Sequence, residues 1–121
     1  MFSFEKLEVY QRSTDFYDSV HVFLKQRNSL PSYLKNQLGR AALSIPLNIA
    51  EGSAKFSERD RWNFYIIARG SVFECAAIFR IMKREGEVDS DFEAKAVQSL
   101  DEISRMLFAL IKNLEARLHS K

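Results

Sequence analysis

The sequence predicts an all-α fold, an antiparallel up-down-up-down four-helix bundle in which residues 1–121 form a single domain. Three observations predict it. Four stretches repeat apolar residues at steps of three and four, with short polar connections between them. Gly and Pro number only four and two, too few for the turns of an all-β chain. Apolar residues make up 46% and charged residues 28%, an ordinary balance for a globular domain with one core.

The first helix is expected from Phe4 to Gln26. Leu7, Tyr10, Tyr17 and Leu24 form one stripe, with Val9, Phe16, Val20 and Phe23 beside it. So wide an apolar face implies two helical neighbours. Asn28, Ser29 and Pro31 end this helix, and Ser32 is the expected cap of the second. Pro46 falls inside the second pattern. It removes the hydrogen bond to Ala42, which predicts either a kinked second helix or a new start at Pro46. Gly52 is the expected stop, because glycine accepts the left-handed conformation.

Ser57 opens the third helix, with Asp60 three residues on. Tyr65, Ala68, Val72, Cys75, Phe79 and Met82 make its main stripe. Phe64, Ile67, Ile78 and Ile81 lie on an adjacent line, and Trp62, Ile66 and Phe73 on another side. A helix apolar nearly all round is expected to be buried nearly all round, which one four-helix bundle does not provide. The excess points to an oligomer. Gly86 ends the third helix, and Asp89 or Ser90 caps the fourth. Ala96, Leu100, Ile103, Leu107, Leu110, Leu114 and Leu118 form its heptad-like seam.

The second helix carries a polar stripe as well: Gln37, Arg40, Ser44, Asn48 and Glu51. Ser and Asn are mediocre helix formers, and small Ala residues lie beside them. The stripe is either a solvated face or a partly buried seam that sets how helices pair. Glu51 favours the seam, since a carboxylate in the last turn opposes the helix dipole and calls for a partner. The expectation is that Arg40, Ser44, Asn48 and Glu51 meet Ser71 and Glu74, with Arg40 answering the carboxylates.

No catalytic constellation assembles, so the chain reads as a non-enzyme with no cofactor and no metal. The two His residues, His21 and His119, stand in no Glu-x-x-His motif, and Arg117 and His119 are two apart, on different faces. No Gly-rich phosphate loop occurs. The single Cys75 excludes an intramolecular disulfide and a multi-Cys zinc site, and it lies on the apolar line. No signal peptide or membrane span is visible, so the expected location is the cytoplasm and no membrane partner is expected.

The net charge of +2 argues little, but its distribution is uneven. Residues 35–84 carry nine basic and four acidic side chains, whereas residues 85–102 carry one basic and seven acidic. Such a dipolar surface steers partners or self-association.

The motif QL-x-RAA-x-SI-x-x-NIAEG over residues 37–52, then A-x-GS-x-x-E over 68–74, resembles the four-helix bundle proteins encoded in intervening sequences of bacterial 23S ribosomal RNA genes, also labelled S23 ribosomal proteins. Phe4, Leu7, Tyr10 and Gln11 also fit that family's start. Cys75 departs from it, where Leu is frequent. The resemblance extends to the accessory variability proteins of diversity-generating retroelements, which form homopentameric rings and bind nucleic acid and a reverse transcriptase. It implies a homo-oligomer, plausibly a pentamer, with a basic surface.

Two functions follow as expectations. One is a nucleic-acid-binding oligomer, for structured RNA above all, in which Lys55, Arg59, Arg61, Arg69, Arg80, Lys83 and Arg84 cluster on one surface of the assembly. The other is a scaffold for a protein partner, in which those cations pair internally with the acidic 85–102 segment.

Overall fold

The computed structural model describes residues 1–120, and among them every regular element is helical. A 3₁₀ turn at Ser3–Lys6 precedes α1 (Glu8–Gln26), α2 (Ser32–Ala54), α3 (Glu58–Arg84) and α4 (Ser90–His119). Each helix packs on the next, and α1 closes the ring on α4. The pairings run antiparallel. Gln37 meets Glu74 and Gly52 meets Tyr65 across α2 and α3, while Arg80 meets Glu93 and Trp62 meets Glu115 across α3 and α4. Phe23 stacks on Phe92 at 4.7 Å, joining the last turns of α1 to the first of α4. Phe79 of α3 lies at the centre of this end, with its ring 6.3 Å from Phe16, 6.2 Å from Phe23 and 6.0 Å from Phe92.

The helix boundaries follow local chemistry. Ser57 Oγ accepts the Asp60 amide at 3.2 Å, and Asp89 Oδ1 accepts the Phe92 amide at 2.7 Å, so α3 and α4 begin on side-chain caps. At the end of α3 the Glu87 amide donates to the Met82 carbonyl at 2.8 Å and the Gly86 amide to Lys83 at 3.0 Å. Gly86 has φ 76°, as this cap requires.

Three boundaries differ from expectation. The first helix starts at Glu8, four residues late, because the Glu5 carboxylate takes the Phe2 amide at 2.7 Å and Phe4 packs edge-on against Tyr10 at 4.8 Å. Ser32 is the first helical residue of α2, with Pro31 as the flanking position. Of the two readings at Pro46 the single second helix is the one found: α2 runs through the buried Pro46 and no new helix starts there.

Gly52 does not stop α2, which continues to Ala54. Its role is close approach: a Cβ there would lie 2.9 Å from the Tyr65 ring and 3.0 Å from Phe64 Cβ. Only a glycine lets α3 pass this near, and Tyr65 then reaches Ser53 Oγ with its hydroxyl at 2.9 Å.

The core is one continuous cluster. The α4 seam holds at Leu100, Ile103, Leu107 and Leu114, but Ile111 is buried in place of Leu110, which is half-buried. Burial of α3 is not all-round in a single chain. Ile66, Ile67, Phe73 and Ile81 are 38–53% exposed.

Candidate nucleic-acid interface

The polar stripe of α2 is a seam at its centre and a solvated face at its edges. Ser44 Oγ and Ser71 Oγ are 2.8 Å apart across the α2–α3 contact, and Ser71 is buried. Asn48 Nδ2 donates to the Ser44 carbonyl at 2.8 Å and to Ser44 Oγ at 2.9 Å. Gln37 Nε2 donates to the Glu74 carboxylate. These small groups satisfy one another, which keeps the helices close at little desolvation cost.

The expected role of Arg40 is not realised. It is exposed and makes no ion pair or hydrogen bond among the described residues. Glu74 is taken by Gln37, and Glu51 pairs with Lys55, one turn on, at 3.7 Å. An i,i+4 carboxylate–lysine pair at the helix end is sufficient for Glu51.

The seven candidate cations lie from just before the start of α3 to its end and differ in what holds each of them. Lys55 also sits 5.1 Å over the Phe64 ring. Arg61 Nη2 donates to the Lys55 carbonyl at 2.8 Å and so ties down the α2–α3 connection. Arg69 lies mid-helix with its guanidinium 4.7 Å from the Phe73 ring and 5.3 Å from Phe108, far from either end. Arg80 Nη1 donates at 2.6 Å to Glu93, whose side chain is only 3% exposed. These four hold the fold. Arg59, Lys83 and Arg84 are exposed and make no ion pair among the described residues, although Arg59 leans on the Trp62 ring at 5.9 Å.

The two ends of the bundle differ in charge compensation. At the end where α3 begins, Lys55 pairs with Glu51, Lys112 with Glu115 at 3.4 Å, and Arg117 with Glu58 at 3.7 Å. Trp62 Nε1 donates to Glu115 at 3.0 Å, and this bond, seconded by Lys112, holds the Glu115 carboxyl below its usual range. At the end where α3 finishes, Lys83 and Arg84 share the tip of the bundle with Lys25, Arg27 and Lys35. None of these five makes an ion pair among the described residues. The acidic residues of the α3–α4 connection, Glu85, Glu87 and Asp89, flank them on one side.

Lys25, Arg27 and Lys35 escape a reading along the sequence, because only the antiparallel fold brings them to the end of α3. Glu93 had a signal: it stands seven residues before Leu100, on the register of Leu107 and Leu114, so a buried carboxylate in need of a cation was legible.

A cleft of about 600 Å³ lies between α1 and α4, floored by Phe16, Val20, Phe79 and Phe92. Arg12 and Glu102 on its rim are already bound to each other. Cys75 is fully buried, and burial, seconded by Glu74, pushes its thiol up to about 12. His21 is exposed and stacks on Tyr17 at 6.1 Å. Among the described residues no group of three His, Cys, Asp or Glu is placed to hold a metal ion, and no helix is long and apolar enough to cross a membrane.

A comparison with curated proteins finds no match. The fold is similar to the crystal structure of a protein of unknown function from the S23 ribosomal protein family of Bacteroides thetaiotaomicron, with a TM-score of 0.79 and 22% identity. The likeness covers 86% of this chain and 98% of that one. The family model described as 23S rRNA-intervening sequence protein matches residues 5–109. A bundle whose α2–α3 contact carries the Gln37–Gly52 motif, matched over most of its length by that model, belongs to the 23S rRNA-intervening sequence protein family.

Proposed function

We propose that this chain works without catalysis, as a self-assembling cytoplasmic bundle that binds nucleic acid, structured RNA above all. Binding runs through basic surfaces repeated around a ring of copies, five by the family resemblance. The observation that carries the reading is the set of cations at one end that make no ion pair among the described residues: Lys83 and Arg84 with Lys25, Arg27 and Lys35. A single chain offers a small patch, and salt weakens each phosphate contact. Repetition around an axis makes such a patch multivalent, so avidity exceeds single-site affinity. Contacts of this kind follow the backbone and carry no base information.

The test reverses Lys25, Lys83 and Arg84 to Glu, together, and measures binding of a labelled RNA hairpin at low salt beside a heparin control. Arg61 and Arg80 are left intact because they hold the fold. The expected result is that the wild type binds and the triple variant loses on the order of tenfold or more. Absence of wild-type binding, or an unchanged triple variant, leaves the scaffold reading. That reading is favoured by one observation: the acidic segment does answer cations internally, Glu93 holding Arg80 and Glu102 holding Arg12.

A further inference from the structure

α1 and α4 pack more loosely than the other neighbouring helix pairs of the bundle, and the cleft of about 600 Å³ between them has a local cause. The two helices are clamped at two places: Phe23 stacks on Phe92 at 4.7 Å, and Arg12 binds Glu102. Between the clamps Ser19, Ala96 and Ser99 line the gap, and side chains so short do not close it. The floor is aromatic, with the Phe79 ring 6.3 Å from Phe16 and 6.0 Å from Phe92. An apolar hollow of this size with a few polar groups at its mouth is of the kind that holds small molecules.

The clamps decide what fits. They stand roughly 16 Å apart along α1, from Arg12 to Phe23 at 1.5 Å per residue. A partner helix, about 10–12 Å across, needs a groove open at its ends, and both ends of this one are shut. A nucleic-acid strand would bring charge that an aromatic floor does not solvate. A small aromatic molecule meets neither objection, and its rings gain contacts with Phe16, Phe79 and Phe92.

Charge at the mouth selects the polar group. Arg12 donates to Glu8 as well as to Glu102, so Glu102 is answered. Lys95 and Asp15 are the charged residues of the lining that make no ion pair among the described residues. Because Arg12 faces Glu102 and Phe23 faces Phe92, Lys95 falls level with Ser19, and Asp15 lies one turn away toward Arg12. Arg12, three residues before Asp15 on the same lip, offsets that carboxylate. No carboxylate of the lining stands within a turn of Lys95 on α4, and Asp91, four residues before it, is outside the lining. The unopposed charge of the cleft is therefore the Lys95 ammonium.

We infer that the α1–α4 cleft is a binding site for a small aromatic monoanion, its rings on Phe16, Phe79 and Phe92 and its anionic group at Lys95. The site is separate from the basic end of the bundle and does not depend on nucleic-acid binding or assembly.

Two fluorescent probes test it: 8-anilinonaphthalene-1-sulfonate, and N-phenyl-1-naphthylamine, which has the same rings without the sulfonate. The sulfonate should bind saturably, one probe per chain. Lys95→Gln should weaken it about two- to fivefold, the range of an exposed ion pair, and leave the neutral probe unchanged. Asp15→Asn should tighten the sulfonate. Ala96→Phe fills the cleft from its α4 side and should remove both probes, with the urea midpoint checking that the variant is folded. Lys95 and Asp15 are exposed, so their variants decide the outcome even where Ala96→Phe does not fold. No saturable binding, or a folded Ala96→Phe that binds both probes like the wild type, overturns the site. A sulfonate that binds Lys95→Gln as tightly as the wild type overturns the anionic ligand.

Discussion

Glu93 is a nearly fully buried carboxylate answered by one guanidinium, and that makes Arg80 the cation whose loss should be felt most. Breaking a buried pair costs about 3–5 kcal/mol, and the exposure of Arg80 places Arg80→Ala at or below the lower figure. Combining it with Glu93→Leu should restore most of that loss, measured by urea denaturation. Arg40→Ala, by contrast, should change the stability of the single chain by no more than about 0.5 kcal/mol. Gly52→Ala forces a Cβ to 2.9 Å from the Tyr65 ring and should destabilise by about 1–3 kcal/mol, despite the gain in helix propensity. Cys75 supplies the pH dependence. Its pKa rises from 9.0 to about 12 in the fold, so above pH 9 the unfolded chain loses a proton that the folded chain keeps. Stability therefore falls as pH rises from 9 toward 12, and Cys75→Ser should flatten that part of the curve in denaturation at stepped pH. Residue types were legible at this scale, and their partners were not. Arg40 was the expected partner of Glu51 and Glu74, yet Lys55, one turn beyond Glu51, and Gln37, across the α2–α3 contact, took them.

At the scale of elements, the helices were legible because periodicity and caps agree. Ser57, Asp89 and Gly86 each do what their chemistry predicts. Asp89→Ala should cost about 1 kcal/mol, read as a lower denaturation midpoint with an unchanged slope. Gly52 misled because it is a breaker by local propensity, whereas packing of α2 against its neighbours outweighs propensity and the helix passes through it, as it does through Pro46. The start of α1 was missed because the Glu5 clasp is a side-chain bond with no periodic signature. Within the seam, Asn48→Ala removes two bonds to Ser44 without leaving a buried charge. Its cost should be about 1 kcal/mol rather than the several expected of an ionic network.

At the scale of the molecule, the sequence carried the bundle, the excess of apolar surface on α3 and the basic bias of residues 35–84. It did not carry the placement of charge. Periodicity orders residues around one helix, whereas the compensated and uncompensated ends arise from antiparallel pairing of four. Lys25, Arg27 and Lys35 join Lys83 and Arg84 only in three dimensions, and four of the seven candidate cations proved to be occupied by the fold. The central claim is phosphate-led binding by the assembled form, and the salt dependence of wild-type affinity for a structured RNA hairpin tests it most directly. Each neutralised phosphate contributes a slope of about −0.9 on a duplex when the logarithm of the association constant is plotted against that of salt. Several copies contributing two or more contacts predict a slope steeper than about −3, with binding strong at low salt. No binding at low salt, or an affinity indifferent to salt, contradicts it.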